Sequence, residues 1–390
     1  MRTALLLLIL AATPLAAGTP RLFDPRLKLE LFAEHPQIVT PTGISIDSRG
    51  RVWAIECNTH FPPQGYQGHS SDRIWIFTDE NKDGRADKQT LFTDELFATM
   101  SIAVRPDGDV YIATRKEIFL MRDTDGDDKA DLKQRLFFLD TESKYPHDAI
   151  GGLAFDPLDR LYFGCGENEG RSYKLLGPDN QPVHVGGGEG GNLFRSNLDG
   201  SHFEHWSTGY WNPHASTCDA LGNIFTVDND PDSRPPCRLM HVVPGSDFGY
   251  RYRNGRRGTH PFSAWNGELP GTLPMTAGTG EAPSGIIAYE ADLLPEEYRG
   301  SLLVGSWGDY RIDRFRLSPG GSSYSSQIDP IVKGDDLFRP VGLALAPDGS
   351  IYFTDWMKRD YEVHGQGRIW RLSAKETPEQ ISTDAPPQKL

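Results

Sequence analysis

The sequence has no excess of positive charge. Its 40 Lys and Arg are outnumbered by 54 Asp and Glu, for a formal net charge of −14. Nucleic acid and anionic membrane surfaces both require a basic footprint, so neither is expected as a partner. Cysteine is scarce: Cys57, Cys165, Cys218 and Cys237 are the only four in 390 residues. They form neither C-x-x-C nor C-x-x-C-H, so the chain has no attachment motif for a c-type haem. In an oxidising compartment four thiols allow three pairings. Cys218 and Cys237 fall in one repeat and are the favoured pair. Long apolar runs are missing except at residues 4–12, a run too short to span a bilayer. With Arg2 before it and Ala16 and Ala17 after it, this run reads as part of a signal peptide over residues 1–17. The expected location is periplasmic or secreted, with no integral membrane segment after cleavage. Glycine and proline are plentiful, at 41 and 29, which suits a turn-rich β protein.

One unit recurs six times. It consists of a small residue, an alternating strand, a turn, and a second strand ending in small or polar residues. The copies lie at 43–56, 101–114, 152–165, 215–228, 285–306 and 342–355. Gly43, Gly152, Gly285 and Gly342 open four of them, where close packing about an axis favours a residue without Cβ. Third and fourth strands follow most copies. The last copy has only a third, at 367–372, and residues 27–32 near the N-terminus supply the missing fourth. Six four-stranded units closed by pairing the chain ends predict an all-β, six-bladed β-propeller over residues 27–373. Residues 374–390 are poor in apolar side chains and read as a disordered tail.

In a propeller the innermost strands run along a central channel, and residues at its mouth are the default ligand positions. The ends of the second strands bring Glu56, Asn58, Arg115, Glu167, Asn168, Asp228, Asn229, Asp230, Trp307, Asp355 and Trp356 there. The starts of the first strands bring His147, Trp211, Asn212, His214 and Arg339. So many polar groups at one mouth favour a ligand site, because buried carboxylates are costly unless paired or bound to metal. Glu56, Asp228 and Asp230 are the candidate metal ligands of this funnel. Two further loops, Asp79-x-Asn81-x-Asp83-Gly-x-x-Asp87 and Asp123-x-Asp125-x-Asp127-x-x-x-Asp131, place oxygen ligands at loop positions used for Ca²⁺. Both lack the Glu that completes an EF-hand. They read either as structural Ca²⁺ loops at the rim or as Asp-rich turns. The stretch 167–190 is expected to form a mobile wall of the funnel, and 230–283 a lid or shelf.

The order of these features resembles a known group. His147 precedes the strand pair Gly-Leu-Ala-Phe-x-Pro-x-x-x-Leu-Tyr at 152–162. Trp211-Asn-Pro precedes the next pair, and Gly245-Ser-Asp-Phe-Gly-Tyr follows it. Over residues 27–373 this resembles the soluble quinoprotein glucose/sorbosone dehydrogenase superfamily. It is similar above all to the membrane-bound dehydrogenase propellers of planctomycete-type bacteria. The resemblance implies pyrroloquinoline quinone (PQQ) over the funnel and a sugar or polyol substrate. It makes His147 the general base while hydride passes to the quinone. Arg115, Trp211, Asn212 and Arg339 become the cofactor-binding positions, and Ca²⁺ is expected at Asp230-Pro231. Two departures stand out. Trp211 occupies a position where these enzymes have Arg, and no Lys lies near Trp307. With no haem motif in the chain, electrons would leave to a separate acceptor such as a cytochrome c.

Two other readings compete. A lactonase-type hydrolase would hold one divalent cation through Glu56, Asn212 and Asp228 and use it to activate water. A non-catalytic carbohydrate-binding propeller would use its Trp residues to stack on sugar rings.

Overall fold

The computed structural model describes residues 18–376. The expected signal peptide at 1–17 lies outside them, as does the tail beyond residue 376. Six antiparallel sheets follow one another around an axis, with three single 3-10 turns as the only helical segments among the described residues. None of the described helices is long and apolar enough to cross a membrane.

Blade one consists of Pro41–Ile46, Val52–Glu56, Asp72–Thr78 and Lys88–Leu96. Blade two begins with Thr99–Val104, Val110–Thr114, Glu117–Arg122 and Leu132–Thr141. It is widened by the hairpin Tyr173–Leu176 and Pro182–Gly186, so most of the stretch expected as a mobile funnel wall is instead sheet edge. Two apolar positions explain this: Tyr173 and Leu175 are buried against Phe137, Phe163 and Phe194. Blade three comprises Ile150–Phe155, Arg160–Cys165, Gly191–Asn197 and Glu204–Tyr210, joined at its edge by Ser246–Asp247 in parallel. Blade four comprises Asn212–Cys218, Ile224–Asn229, Arg238–Val242 and Ala277–Gly278. The insert expected as a lid therefore supplies two strands of its own blade and one to the blade before it.

Blade five is Pro283–Tyr289, Ser301–Ser306, Arg311–Gly320 and Ser323–Lys333, with Arg21–Leu22 at its edge. Blade six is Pro340–Leu345, Ile351–Asp355 and Arg368–Ala374, and its outer strand is Leu27–Glu34 from the N-terminus. The ring closes as the sequence predicts. Ala374, expected in the tail, pairs with Leu27. All four cysteines are free, which corrects the expected Cys218–Cys237 pair. Cys218 ends the first strand of blade four beside the outer turn, and Cys237 precedes the third strand at the opposite end of the sheet.

Each blade is sandwiched between two neighbours, so its second strand is buried on both faces. Val52–Glu56 and Ser301–Ser306 are buried at every position, and such strands read as apolar runs rather than alternation. The turns after the first strands of blades one, three and four share one device. Asp47 accepts from the backbone N–H of Arg49 and Arg51, Asp156 from Leu158 and Arg160, and Asp219 from Leu221 and Asn223. These are Asx turns, and Gly50 provides the left-handed residue at φ 80°. At the axis Gly285 is sterically required: a Cβ there would stand 2.2 Å from the Val341 carbonyl oxygen of the next blade.

All six innermost strands are irregular near their start. The register slips at Pro41/Gly43, Thr99/Ser101, Gly151/Ala154, Pro213/Ala215, Pro283/Gly285 and Pro340/Leu343. A bulge leaves one residue unpaired and re-aims its side chain. Here that shapes the site.

Candidate functional site

A cavity of about 300 Å³ lies at the mouth of the channel. Residues within the bulges of five blades line it: Thr42, Met100, His214, Ser284 and Val341. Trp211, Trp307, Trp356, Tyr145 and Tyr361 add aromatic walls, and Tyr361 stacks on Trp307 with centroids 5.3 Å apart. Polar groups reach the cavity from His60, His147, Asp148, Asn212, Asn229, Asp230, Asp232 and Arg256.

Three imidazoles gather here. Burial holds His60, His147 and His214 below the usual histidine range, His147 most strongly, and the other two imidazoles add to its depression. Hydrogen bonds then fix which nitrogen carries each proton. The Tyr361 carbonyl can only accept, so His60 Nδ1–H donates to it at 2.7 Å. A neutral His60 has no second proton, so its Nε2 accepts from His147 Nε2–H at 2.9 Å. That leaves His147 Nδ1 unprotonated and, among the described residues, without a protein donor. The order Tyr361–His60–His147 thus yields a neutral base whose lone pair sits on a defined atom.

Next to His147, Asp148 meets Glu167. Burial and mutual repulsion push the Glu167 carboxyl far up, and burial also raises Asp148. Both acids therefore favour the protonated form more than a solvated carboxyl does, and of the two only Asp148 lines the cavity.

Of the positions predicted from sequence, His147, Trp211, Asn212, His214, Asn229, Asp230, Trp307 and Trp356 line the cavity. The Asn212 backbone N–H donates to Asp228 at 2.6 Å. Arg115 does not reach the cavity. Its guanidinium donates to the Tyr145 carbonyl and to Ser143 Oγ, both at 2.9 Å, and so carries the segment that presents His147. Arg339 is also absent from the lining. It is 0% exposed and packs behind Trp307 and Tyr310, 5.3 and 3.8 Å from their ring centroids.

Glu56 and Asp228 are not free metal ligands. Each ends a second strand opposite an arginine on the third: Glu56 with Arg73, Asp228 with Arg238, and likewise Asp355 with Arg368. Glu56 is bound by Arg73, by Asn58 Nδ2 at 2.9 Å and by Trp75 Nε1 at 2.8 Å. Asp228 takes Arg238 at 2.5 Å, with both side chains 0% exposed. Asp355 takes Arg368 at 2.6 Å and Trp370 Nε1 at 3.1 Å. These clasps lock second strands to third strands and use up the charge that would bind a cation.

The rim loops fold around their own amides. Asp79 accepts from Gly84, Asp87 from Glu80 and Asn81, and Asn81 Oδ1 from Asp83. Asp123 accepts from Gly126 and Asp128, Asp127 from Lys129, and Asp131 from Thr124. Asp123, Asp125 and Asp127 converge closely enough to hold an ion, whereas the first loop shows no such grouping. None of these residues lines the cavity.

Sequence reasoning missed His60, Tyr361, Tyr145, Asp148, Asp232 and Arg256. The Pro that opens the bulge in blades one, four, five and six (Pro41, Pro213, Pro283 and Pro340) was the readable signal for the bulged wall.

Comparison with solved structures supports the fold. An oxidoreductase described as a glucose dehydrogenase from Thermus thermophilus superimposes with a TM-score of 0.65 at 16% identity, covering 89% of this chain and 99% of that one. The PQQ-bound aldose sugar dehydrogenase of Streptomyces coelicolor gives 0.62 at 16% identity, covering 91% and 99%. A calcium structure of the Trichoderma reesei carbohydrate-active enzyme of family AA12 gives 0.62 at 12% identity, covering 91% and 97%. No curated protein matches the sequence. Residues 22–376 match the family model described as a domain of unknown function, DUF7133, and the chain belongs to that family.

Proposed function

We propose that the cavity is the active site of a sugar or polyol oxidoreductase in which His147 Nδ1 accepts the proton of the hydroxyl being oxidised. The observation that carries this reading is the neutral His147 with a fixed tautomer, set in an aromatic-walled cavity. Aromatic faces suit the C–H faces of a sugar, and the amide and carboxyl groups around them suit its hydroxyls. Burial keeps the imidazole uncharged near neutrality, as a proton acceptor must be. Arg115 acts through Tyr145 and Ser143 to hold the loop that presents it.

Oxidising a secondary hydroxyl or a hemiacetal also requires a two-electron acceptor. PQQ, present in the similar Streptomyces propeller, supplies hydride-accepting chemistry when bound. Asn212 and Arg256 are the groups here that would meet its carboxylates. The donor set suits its ring more than its charge. Arg256 is the one guanidinium in the lining, set against Asp148, Asp230 and Asp232, and Tyr361 already covers Trp307. A less anionic organic oxidant would match the cavity better. With no haem motif in the chain, a separate acceptor such as a cytochrome c would take the electrons. We place the protein in the periplasm or outside the cell, on the strength of the N-terminal apolar run. The kinship with planctomycete-type propellers rests on motif order.

The lactonase reading loses two of its three ligands, because Glu56 and Asp228 are closed on arginines. The deciding experiment supplies the purified protein with PQQ and Ca²⁺, or with neutral quinones. Dye reduction is followed across aldoses and polyols, for the wild type and for His147→Asn. Substrate-dependent reduction lost in the variant is expected. Sugar binding without reduction under any oxidant, unchanged in the variant, would instead establish a binding propeller.

A further inference from the structure

A second constellation stands in the same cavity wall. Asn229 and Asp230 line the cavity, and behind them Cys237 Sγ lies 3.1 Å from Asn229 Oδ1, 3.7 Å from Asp230 Oδ1 and 3.8 Å from Glu281 Oε2. The ligand atoms of Asp230, Cys237 and Glu281 all fall within 4.8 Å of one another. They arrive from three places: the end of the second strand of blade four, the start of its third strand, and the approach to blade five.

Asp230 Oδ2 accepts from the Arg234 backbone N–H at 3.1 Å and Cys237 Sγ from the Asp230 N–H at 3.4 Å, but the oxygens that face the sulfur are short of protons and of cations. One thiol proton can serve only one of the three oxygens, so the others face each other as acceptors. The neighbouring guanidiniums are engaged elsewhere: Arg234 with Glu268 at 2.8 Å, Arg256 with Asp232 at 3.5 Å, and Arg311 with Asp313 at 2.8 Å. Asp230 and Cys237 are buried, and a buried carboxylate without a cationic partner is costly.

The spacing fits a small tetrahedral ion. With metal–sulfur at about 2.3 Å and metal–oxygen at about 2.1 Å, tetrahedral geometry sets sulfur–oxygen edges at roughly 3.6 Å. The three observed separations bracket that value. We propose that Asn229, Asp230, Cys237 and Glu281 form a site for a thiophilic divalent cation of the Zn²⁺ class. Ca²⁺ takes six to eight oxygen ligands and has no use for sulfur. Cys237 therefore changes the class of metal from the Ca²⁺ that resemblance implied at Asp230. Two of the ligand residues face the substrate space, so the ion shares the cavity with His147. The site does not depend on the oxidoreductase reading.

The test uses the folded protein freed of metal by chelation and titrated with Co²⁺, whose thiolate complexes absorb by sulfur-to-metal charge transfer. A saturable band is expected, displaced by Zn²⁺ and unaffected by equal Ca²⁺. Cys237→Ser should abolish the band and weaken Zn²⁺ binding by about 10-fold or more. Glu281 is exposed, so Glu281→Gln should fold normally, keep the band and still bind Zn²⁺ more weakly. Melting curves of the metal-free variants check the fold. No band in folded wild type, displacement of Co²⁺ by equal Ca²⁺, or an unchanged band in Cys237→Ser would each overturn the proposal.

Discussion

Asp228→Asn should destabilise the protein severely without acting through a metal. The side chain is nearly isosteric, so the perturbation is electrostatic. Arg238 stays buried at 0% exposure, still donating to the carbonyls of Gly209, Phe248 and Trp265 at 3.0, 2.9 and 2.9 Å and lying 3.6 Å from the Trp265 ring centroid. It loses its only counter-charge. Asp228 also accepts from the backbone N–H of Trp211 and Asn212 with its two oxygens, and an amide has one oxygen to offer. Burial pushes the Asp228 carboxyl up while Arg238 and these amides pull it down. Removing one partner of a buried pair costs about 3–5 kcal/mol, which in a chain of this size lowers the melting temperature by about 4–6 °C. Glu56→Gln is the internal comparison. Arg73 is 28% exposed and can turn to water, so the loss should be only about 1–3 kcal/mol. Thermal and urea unfolding of both variants decide the matter. The reasoning fails if Asp228→Asn lies within about 1 kcal/mol of wild type, or if Glu56→Gln is the more damaging change. An intact melt with lost cation dependence would restore Asp228 as a metal ligand.

Further outcomes follow from the same geometry. Burial depresses His60, His147 and His214, so the acid limb of kcat/KM should lie below the free-histidine value of about 6.5. ¹⁵N NMR of labelled histidines should show His147 protonated at Nε2, and a proton on Nδ1 would refute the relay. Because unfolded histidines bind protons that the folded ones refuse, this contribution to stability is complete above pH about 6.5 and is lost as pH falls through the depressed folded values. It should appear in melts recorded at successively lower pH. Gly285→Ala puts a methyl against the Val341 carbonyl and should cost about 1–3 kcal/mol through overpacking at the axis. A melt equal to wild type would show that the blades can part there.

The sequence alone determined the blade count, the ring closure and eight of the twenty residues of the cavity wall. Strand alternation, Asx turns and opening glycines are local devices, repeated within a few tens of residues, so a reader of the chain can align them. Residues 27–32 could be matched to blade six because that blade lacked a strand. His147, Trp211, Asn212 and Asp230 fell at strand ends, which propeller geometry gathers at one mouth. Only the tertiary structure decided which carboxylates remain free. Glu56, Asp228 and Asp355 find their arginines 17, 10 and 13 residues later, a spacing that varies with loop length and so leaves no motif, although strand register fixes each pair. His60 meets Tyr361 across 301 residues, and Cys237 meets Glu281 across 44. Such meetings depend on how the blades close around the axis, and nothing in either local segment encodes its partner.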